Sequence, residues 1–342
     1  MKLLLAPNPA RSRQPAKTEV APAEGAQATR LSRWADWCEL AKVRLNAMVL
    51  CSAALGYMCG SAWQGNVDWS GLVGALLGTA LLAAGSAVMN QYQERELDAL
   101  MERTGRRPLP TGRVRPETAL RMGVIFILGG LAVLISATTP LAALLGAITV
   151  ALYLGVYTPL KTRTTLNTLV GAVAGALPPL IGWSAATGQL DSPAWSLFLI
   201  QFLWQFPHFW SIAWLYRDDY DRAGMKMVPV LDATGHMTGR LLVNHSLVLT
   251  CASFSPVLVG LTGTRYLIAA VVSGAMFVVI SWWFLLRPEK KRARYVLWMS
   301  LIYLPMLYLF LIADGAWAVL TTPSATSLEP AMTFPLTNSE NP

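Results

Sequence analysis

The sequence predicts an all-α membrane protein, a bundle of nine transmembrane helices with its N-terminus inside and its C-terminus outside. Composition is the first observation behind this prediction, because 54% of the 342 residues are hydrophobic and only 13% are charged. The second is a series of apolar stretches long enough to cross a hydrocarbon core of about 30 Å. The third is the placement of the basic residues, which follows the positive-inside rule. Together these observations exclude an ordinary soluble domain.

The candidate spans are runs of about 20 predominantly apolar residues. They lie at 44–64, 71–91, 118–138, 140–158, 166–187, 193–215, 242–262, 266–286 and 296–320. The shortest break lies between the third and fourth runs, where Ala137 to Pro140 predict a tight hairpin. If these two runs formed one helix, the C-terminus would change sides.

All but Arg265 of the 27 Lys and Arg residues fall on one side of this arrangement. Basic residues are enriched in cytoplasmic loops. We therefore expect the protein to span the inner membrane of a bacterium, with this side facing the cytoplasm. The net charge of +8 then reflects topology and contact with the lipid bilayer, and no nucleic acid partner is expected.

The two ends of the chain lack the pattern of a packed domain. Residues 1–30 are rich in Pro, Ala and charge without apolar periodicity, and residues 321–342 contain no basic residue. Such segments bury too little apolar surface to fold alone. We therefore predict a single membrane domain over 31–320 between two disordered segments.

The clearest chemical signal begins where the second apolar run ends. Asn90, Glu94 and Asp98 are spaced by four residues, so on a helix they fall within an arc of about 80°. Oxygen ligands one turn apart suit a Mg²⁺ ion that takes its other ligands from water and substrate phosphates. Arginines suited to phosphate oxygens follow, namely Arg103, Arg106, Arg107 and Arg113. The pattern predicts a metal-bound diphosphate, and a headgroup-facing connection is the alternative.

A second acidic cluster follows the sixth run and includes Asp218, Asp219 and Asp221, with Lys226 nearby. Four helices separate the two clusters, so both are expected at the inner surface. Two such clusters can bracket a diphosphate with more than one Mg²⁺.

Three further basic residues stand at the inner ends of spans. Lys42 and Arg44 enter the first helix, and Lys161 follows Tyr153 and Tyr157 at i+4 spacing at the end of the fourth. Diphosphate contact and simple membrane anchoring are both consistent with these positions.

Polar residues inside the sixth span are unusual for a membrane helix. Gln205 and His208 flank Pro207 within an otherwise apolar segment, and ionisable groups at such depth usually face a cavity. His208 precedes Asp218 by ten residues, or about 15 Å of helix. We therefore expect it to lie deeper in the membrane than the acidic cluster at the inner surface.

With these motifs assembled, the chain resembles the UbiA-type intramembrane prenyltransferases, and within them the branch that farnesylates haem. The acidic motif N-x-x-x-D-x-x-x-D is matched from Asn90 to Asp98, with Glu94 in place of an Asp. The second acidic motif is matched by the Asp218–Asp219 pair. The motifs more specific to that branch are M-x-R-T-x-x-R-P-L at 101–109, P-P-L-I-G-W at 178–183, W-Q-x-P-H-F at 204–209 and D-D-Y-x-x-A-G at 218–224.

The resemblance implies a reaction between farnesyl diphosphate and haem b, with Mg²⁺ as cofactor. The implied metal ligands are Asn90, Glu94, Asp98, Asp218 and Asp219. The implied diphosphate-binding residues are Lys42, Arg44, Arg103, Arg107, Lys161 and Lys226. The implied haem contacts are Trp204, Gln205 and His208. A further haem-modifying enzyme could receive the product.

Two alternatives remain open from the sequence. A prenyltransferase of the same superfamily could act on an aromatic acceptor such as 4-hydroxybenzoate. A secondary transporter would place its substrate groups near the bilayer midplane, whereas this chain concentrates ionisable groups at inner helix ends.

Overall fold

The computed structural model describes residues 30–321, and it places side chains for residues 34–314. Within the described residues the chain is helical and contains no strand, as the composition predicts. The segments predicted to be disordered lie outside the described residues, except that Arg30 begins the first helix and Thr321 ends the last.

In chain order, the helices are α1 (Arg30–Leu40), α2 (Val43–Gln64), α3 (Trp69–Ala99), α4 (Pro116–Ala137), α5 (Pro140–Val150), α6 (Thr158–Leu160), α7 (Asn167–Ala176), α8 (Pro178–Thr187), α9 (Ser192–Leu215), α10 (Arg217–Arg222), α11 (Val228–Leu231), α12 (His236–Ala252), α13 (Ser255–Leu258), α14 (Thr264–Leu286) and α15 (Lys290–Thr321). A π-helical segment, Ala151–Tyr157, joins α5 to α6.

Between residues 30 and 321, eight helical segments are long and apolar enough to cross a membrane. The predicted span that is not among these eight is the sixth, 193–215. It corresponds to α9, which has 24 residues but carries Gln201, Gln205 and His208 and is therefore less apolar. The protein is thus a multi-pass membrane protein by length and composition. The count of nine spans and the sidedness of the termini are not confirmed and stay predictions.

Two predicted breaks are present and are caused by proline. α4 ends at Ala137 and α5 begins at Pro140, where the Thr139 side chain accepts a hydrogen bond from the Ala142 N–H. The fifth span divides at Pro178, since proline lacks the N–H that would continue the helix. The third and fourth spans are therefore separate helices.

The hydrophobic effect does not drive helices together inside a membrane, because lipid tails are as apolar as the side chains. Small residues instead let the helices approach closely and pack. A Cβ added at Gly85 of α3 would lie 2.9 Å from the Gly123 carbonyl oxygen of α4, and one at Gly130 would lie 2.8 Å from that of Gly78. This stripe holds α3 and α4 together along their length. It fixes the axis of α3, which continues beyond its apolar part to Ala99 and carries the first acidic motif.

Candidate active site

The first acidic motif lies on one unbroken helix and is buried. Asn90 and Asp98 are 1% exposed and Glu94 is 4% exposed. Each contacts a different cation, and the pairs are Lys42 Nζ with Asn90 Oδ1 at 3.1 Å, Lys161 Nζ with Glu94 Oε1 at 2.7 Å and an Arg107 Nη with Asp98 Oδ2 at 2.7 Å. The structure thus brings three predicted diphosphate-binding residues onto the three predicted ligands of α3. We call these six residues the paired cluster.

Lys42 reaches this cluster because the backbone turns sharply between α1 and α2. Its φ of 46° and ψ of 47° are left-handed, and among residues 30–321 it is the one non-glycine residue with positive φ. An L-residue in this conformation costs roughly 1–2 kcal/mol. Such strain occurs at functional sites, where the surrounding structure over-determines it. Here it directs the ammonium group at Asn90.

The charge state of Lys42 is sensitive to its surroundings. Burial lowers the pKa of Lys42 to about 7, and the positive charges of Arg107 and Lys161 lower it as well. The carboxylates of Glu94 and Asp98 act in the opposite direction but do not offset the burial. This ammonium group therefore titrates near neutral pH.

The π-helical segment sets the position of Lys161. Tyr153 and Tyr157 stack with ring centroids 5.4 Å apart, and the Lys161 ammonium lies 4.6 Å from the Tyr157 ring centroid. The widened turn is a feature frequently found at functional sites. Thr158, which belongs to none of the sequence motifs, accepts a hydrogen bond of 3.2 Å from the Asn90 amide.

The two aspartates of the second acidic motif make different contacts. Asp219 is buried, and its carboxylate accepts hydrogen bonds from the backbone N–H groups of Glu102 at 3.3 Å and Arg103 at 3.4 Å; it also pairs with Arg222. Asp218 instead projects into solvent and pairs with Lys290 of α15 at 3.0 Å. The hydrogen bond and charge of Lys290 hold the pKa of Asp218 below its usual range.

Asp219 thereby orders the loop that follows α3. In that loop the Arg103 guanidinium lies over the Tyr216 ring, 5.0 Å from its centroid, and donates a hydrogen bond of 3.3 Å to the Tyr220 hydroxyl. The same loop supplies Arg107 to the paired cluster. The two acidic motifs are therefore linked through the loop backbone.

The five predicted metal ligands are not assembled into one group. Among the residues described, no set of three or more His, Cys, Asp and Glu side chains is placed to hold a metal ion. The donors of α3 nevertheless suit Mg²⁺, because Oδ1 of Asp98 is buried without a hydrogen-bond partner in the described part of the chain. Mg²⁺ commonly takes only one or two protein carboxylates and completes its shell with phosphate and water.

Three predicted diphosphate-binding residues are outside the paired cluster, and one of them is Arg103, which lies over Tyr216 in the loop after α3. The side chain of Arg44 is exposed on the first turn of α2, and that of Lys226 is exposed as well. The backbone of Lys226 does have a structural role, since its N–H donates to the Lys161 carbonyl at 2.6 Å and its own carbonyl accepts from Asn167 at 2.6 Å.

The predicted haem contacts face two directions. Trp204 donates to the Ser300 carbonyl at 2.7 Å, and Nδ1 of His208 lies 2.9 Å from the Ser300 hydroxyl. The Trp204 and His208 rings stack with centroids 4.6 Å apart. Gln205 instead donates to the Ala172 carbonyl of α7 at 3.0 Å, so it serves helix packing. The partner Ser300 carries no recognisable signal in the sequence.

A cavity of about 180 Å³ is lined by Tyr157, whose ring contacts Lys161 of the paired cluster. Arg103, Tyr157 and Tyr220 contribute to its wall, together with apolar side chains of α9 such as Phe209 and Ile212. Because Tyr157 also contacts Lys161, the cavity adjoins the site at which a diphosphate would sit. The apolar part of this cavity can accommodate the carbon atoms next to the diphosphate.

Comparison with known proteins decides which family uses this arrangement. Residues 49–302 match the UbiA prenyltransferase family. The chain belongs to that family. The expectation drawn from the motifs is thereby confirmed, and membership in a family of prenyltransferases speaks against the transporter alternative.

Several curated relatives of this UbiA family member cover most of its length. A relative from Solibacter usitatus, named protoheme IX farnesyltransferase, is 43% identical over 286 residues, which is 82% of this chain and 98% of the relative. One of the same name from Koribacter versatilis is 40% identical over 288 residues, covering 82% of this chain and 93% of the relative.

Solved structures share the fold. A digeranylgeranylglyceryl phosphate synthase matches with a TM-score of 0.69 at 17% identity, covering 83% of this chain and 98% of that one. A UbiA homologue from Archaeoglobus fulgidus bound to DMAPP and Mg²⁺ matches with a TM-score of 0.58 at 19% identity, covering 84% and 100%. The all-helical UbiA architecture predicted from the sequence is therefore confirmed.

Proposed function

We propose that this protein transfers the farnesyl group of farnesyl diphosphate to a vinyl side chain of protohaem IX, giving haem O and diphosphate. Relatives that are 35–43% identical carry the name protoheme IX farnesyltransferase, which supports haem as the acceptor. The observation that carries the transferase chemistry is the paired cluster, where three cations and three oxygen-bearing side chains meet in a buried site.

The paired cluster accounts for the first step. When farnesyl diphosphate enters, Lys42, Lys161 and Arg107 exchange their carboxylate or amide partners for diphosphate oxygens. Asn90, Glu94 and Asp98 would then hold Mg²⁺, which when bound neutralises charge on the leaving diphosphate. The cations stabilise that same charge as the carbon–oxygen bond breaks. A metal role for Asp218 and Asp219 stays a prediction.

The remaining steps need an apolar, dry surrounding. The cavity beside Tyr157 shields the allylic carbon from premature attack by water. The outer carbon of the haem vinyl group bonds to that carbon, which leaves a positive charge on the inner vinyl carbon. Water adds there and releases a proton to solvent, giving the hydroxyethylfarnesyl side chain. Trp204 and His208 are the proposed haem contacts on α9. Nδ1 of His208 is engaged by Ser300, which leaves Nε2 for a substrate.

The proposed location follows from the charges. We place the protein in a bacterial inner membrane with the paired cluster on the cytoplasmic side, because the basic loops gather at that end. A downstream haem-modifying enzyme is a proposed recipient of the product.

The test supplies membranes containing this protein with haem b, farnesyl diphosphate and Mg²⁺, followed by chromatography and mass spectrometry of the extracted haems. We expect a heavier, more hydrophobic haem that is not formed in the presence of EDTA. If haem is unchanged but supplied 4-hydroxybenzoate is prenylated, the acceptor proposal is wrong and the aromatic alternative stands. If neither acceptor is modified, the transferase proposal itself fails.

A further inference from the structure

A second and larger cavity opens on another side of α9. It is a groove of about 300 Å³ between the end of α9 and the first turns of α15. Lys290 and Arg294 stand at one end, and Leu297, Trp298 and Leu301 continue along the same face of α15. Lys290, Arg294, Leu297 and Leu301 are spaced by four, three and four residues, as on one face of a helix, and Trp298 lies four residues after Arg294. We call this cavity the α9–α15 groove.

The groove is charged at one end and apolar along the rest of its length. Its two cations lie at the start of α15, whereas Trp298 is 58% exposed and Leu301 is 41% exposed on the apolar stretch. A ligand that fits would carry anionic groups at one end and a broad apolar body. Lys290 already holds a carboxylate, that of Asp218 at 3.0 Å, which shows that its ammonium group can receive one at this position.

The groove leads from the inner surface toward the proposed haem contacts. Ser300, which binds both Trp204 and His208, lies six residues beyond Arg294, or about 9 Å along α15. Leu215 of the groove lies seven residues after His208, so the two share one face of α9 within about 20°. Anionic groups at Arg294 would thus place the body of a ligand at the membrane depth of the Trp204–His208 pair, although neither residue lines the groove.

Two stacked side chains, Tyr216 and Arg103, connect the wall of the groove with the wall of the donor cavity. Tyr216 lines the groove, and the Arg103 guanidinium covers its ring. Arg103 in turn lines the cavity beside Tyr157. An acceptor in the groove would therefore lie on the far side of the Tyr216–Arg103 stack from the donor, and this stack must move aside before the vinyl carbon can bond to the allylic carbon.

We infer that the α9–α15 groove binds the acceptor porphyrin, with its two propionate carboxylates at Lys290 and Arg294. This inference rests on the proposed function, since it names the place of the haem acceptor. Two carboxylates match two cations, and the apolar macrocycle matches the Trp298–Leu301 surface. One propionate replaces the Asp218 carboxylate on Lys290.

The test compares haem b with haem b dimethyl ester, in which both carboxylates are esterified. The full chain in lipid nanodiscs is titrated with each porphyrin and binding is followed in the Soret band. We expect the unaltered protein to prefer haem b by roughly tenfold, as two half-exposed ion pairs allow. Lys290→Gln/Arg294→Gln should bind haem b and its ester equally.

A matched control removes the same charge from the same region. Arg287→Gln/Lys291→Gln alters two exposed cations that do not line the groove, and it should keep the preference for haem b. If the groove variant keeps the preference, or if the unaltered protein binds both porphyrins alike, the inference is wrong. If the groove variant instead loses bound anionic lipid while keeping the preference, the groove is a lipid site and the inference is also wrong.

Failure of the proposed function gives a different result. In that case the unaltered protein binds neither porphyrin and forms no farnesylated haem. If the protein forms farnesylated haem but binds haem b and its dimethyl ester equally, the proposed function stands and only the inference about the groove is wrong.

Discussion

The two acidic motifs look alike in the sequence but are built differently. The first lies on α3, a helix of 31 residues, and its three side chains point into one buried cluster. The second lies on α10, a helix of six residues, and its adjacent aspartates point apart. Asp219 turns inward to the loop backbone, while Asp218 turns outward to Lys290. Residues four apart on a helix share a face, whereas adjacent residues point about 100° apart.

This contrast assigns different roles to similar residues. The first motif offers oxygen atoms to a metal and a diphosphate, and the Oδ1 atom of Asp98 lacks a hydrogen-bond partner among the described residues. The second motif, as the structure has it, positions the loop that carries Arg103 and Arg107. Four substitutions test the contrast, from the largest expected effect to the smallest.

Asp98→Asn should have the largest effect. It removes the buried charge that we propose for the metal while keeping the size of the side chain, so turnover should fall by roughly two orders of magnitude or more. The measurement is the rate of haem farnesylation in membranes. Glu96→Gln is the control, because Glu96 lies two residues away on α3 and is exposed. Near-normal turnover in Asp98→Asn with an unchanged melting temperature would contradict the metal proposal.

Asp219→Asn should act on donor binding. An amide can accept through only one oxygen, so one of the two backbone N–H groups at Glu102 and Arg103 loses its partner. We expect the apparent KM for farnesyl diphosphate to rise roughly tenfold, with the Mg²⁺ concentration for half-maximal rate unchanged. A large rise in the Mg²⁺ concentration for half-maximal rate would instead indicate that Asp219 is a metal ligand. The two motifs would then have the same role.

Lys42 should give the donor site a pH dependence. Its pKa is lowered to about 7, so the fraction that carries a positive charge falls as pH rises through 7. We expect kcat/KM for farnesyl diphosphate, which reports on the free enzyme, to decline several-fold from pH 6 to 8.5. Lys42→Arg stays charged over this range and should flatten the decline. An equal decline in both proteins would exclude Lys42 as its source.

Asp218→Asn should have the smallest effect. Asp218 is exposed and its ion pair with Lys290 is also exposed, and such pairs contribute about 1 kcal/mol or less. Turnover should therefore stay within about twofold of the unaltered protein in the same assay. A loss as large as that of Asp98→Asn would show that the second motif joins the metal once substrate is bound.

The sequence alone determined the class of fold and the first motif. Apolar runs of about 20 residues can cross a membrane only as helices, and proline fixed two of their breaks. The i, i+4, i+8 spacing of Asn90, Glu94 and Asp98 sufficed to place them on one face, because α3 continues unbroken to Ala99. These properties are local, so periodicity reveals them.

Only the tertiary structure decided which residues meet. The partners of the first motif come from 48, 67 and 9 positions away in the chain, and no local pattern encodes such distances. The inward turn of Asp219, the packing role of Gln205 and the contact of Ser300 with His208 likewise depend on how α9, α10 and α15 are docked. Spacing predicts a face, but the helix packed against that face determines the contacts that a side chain makes.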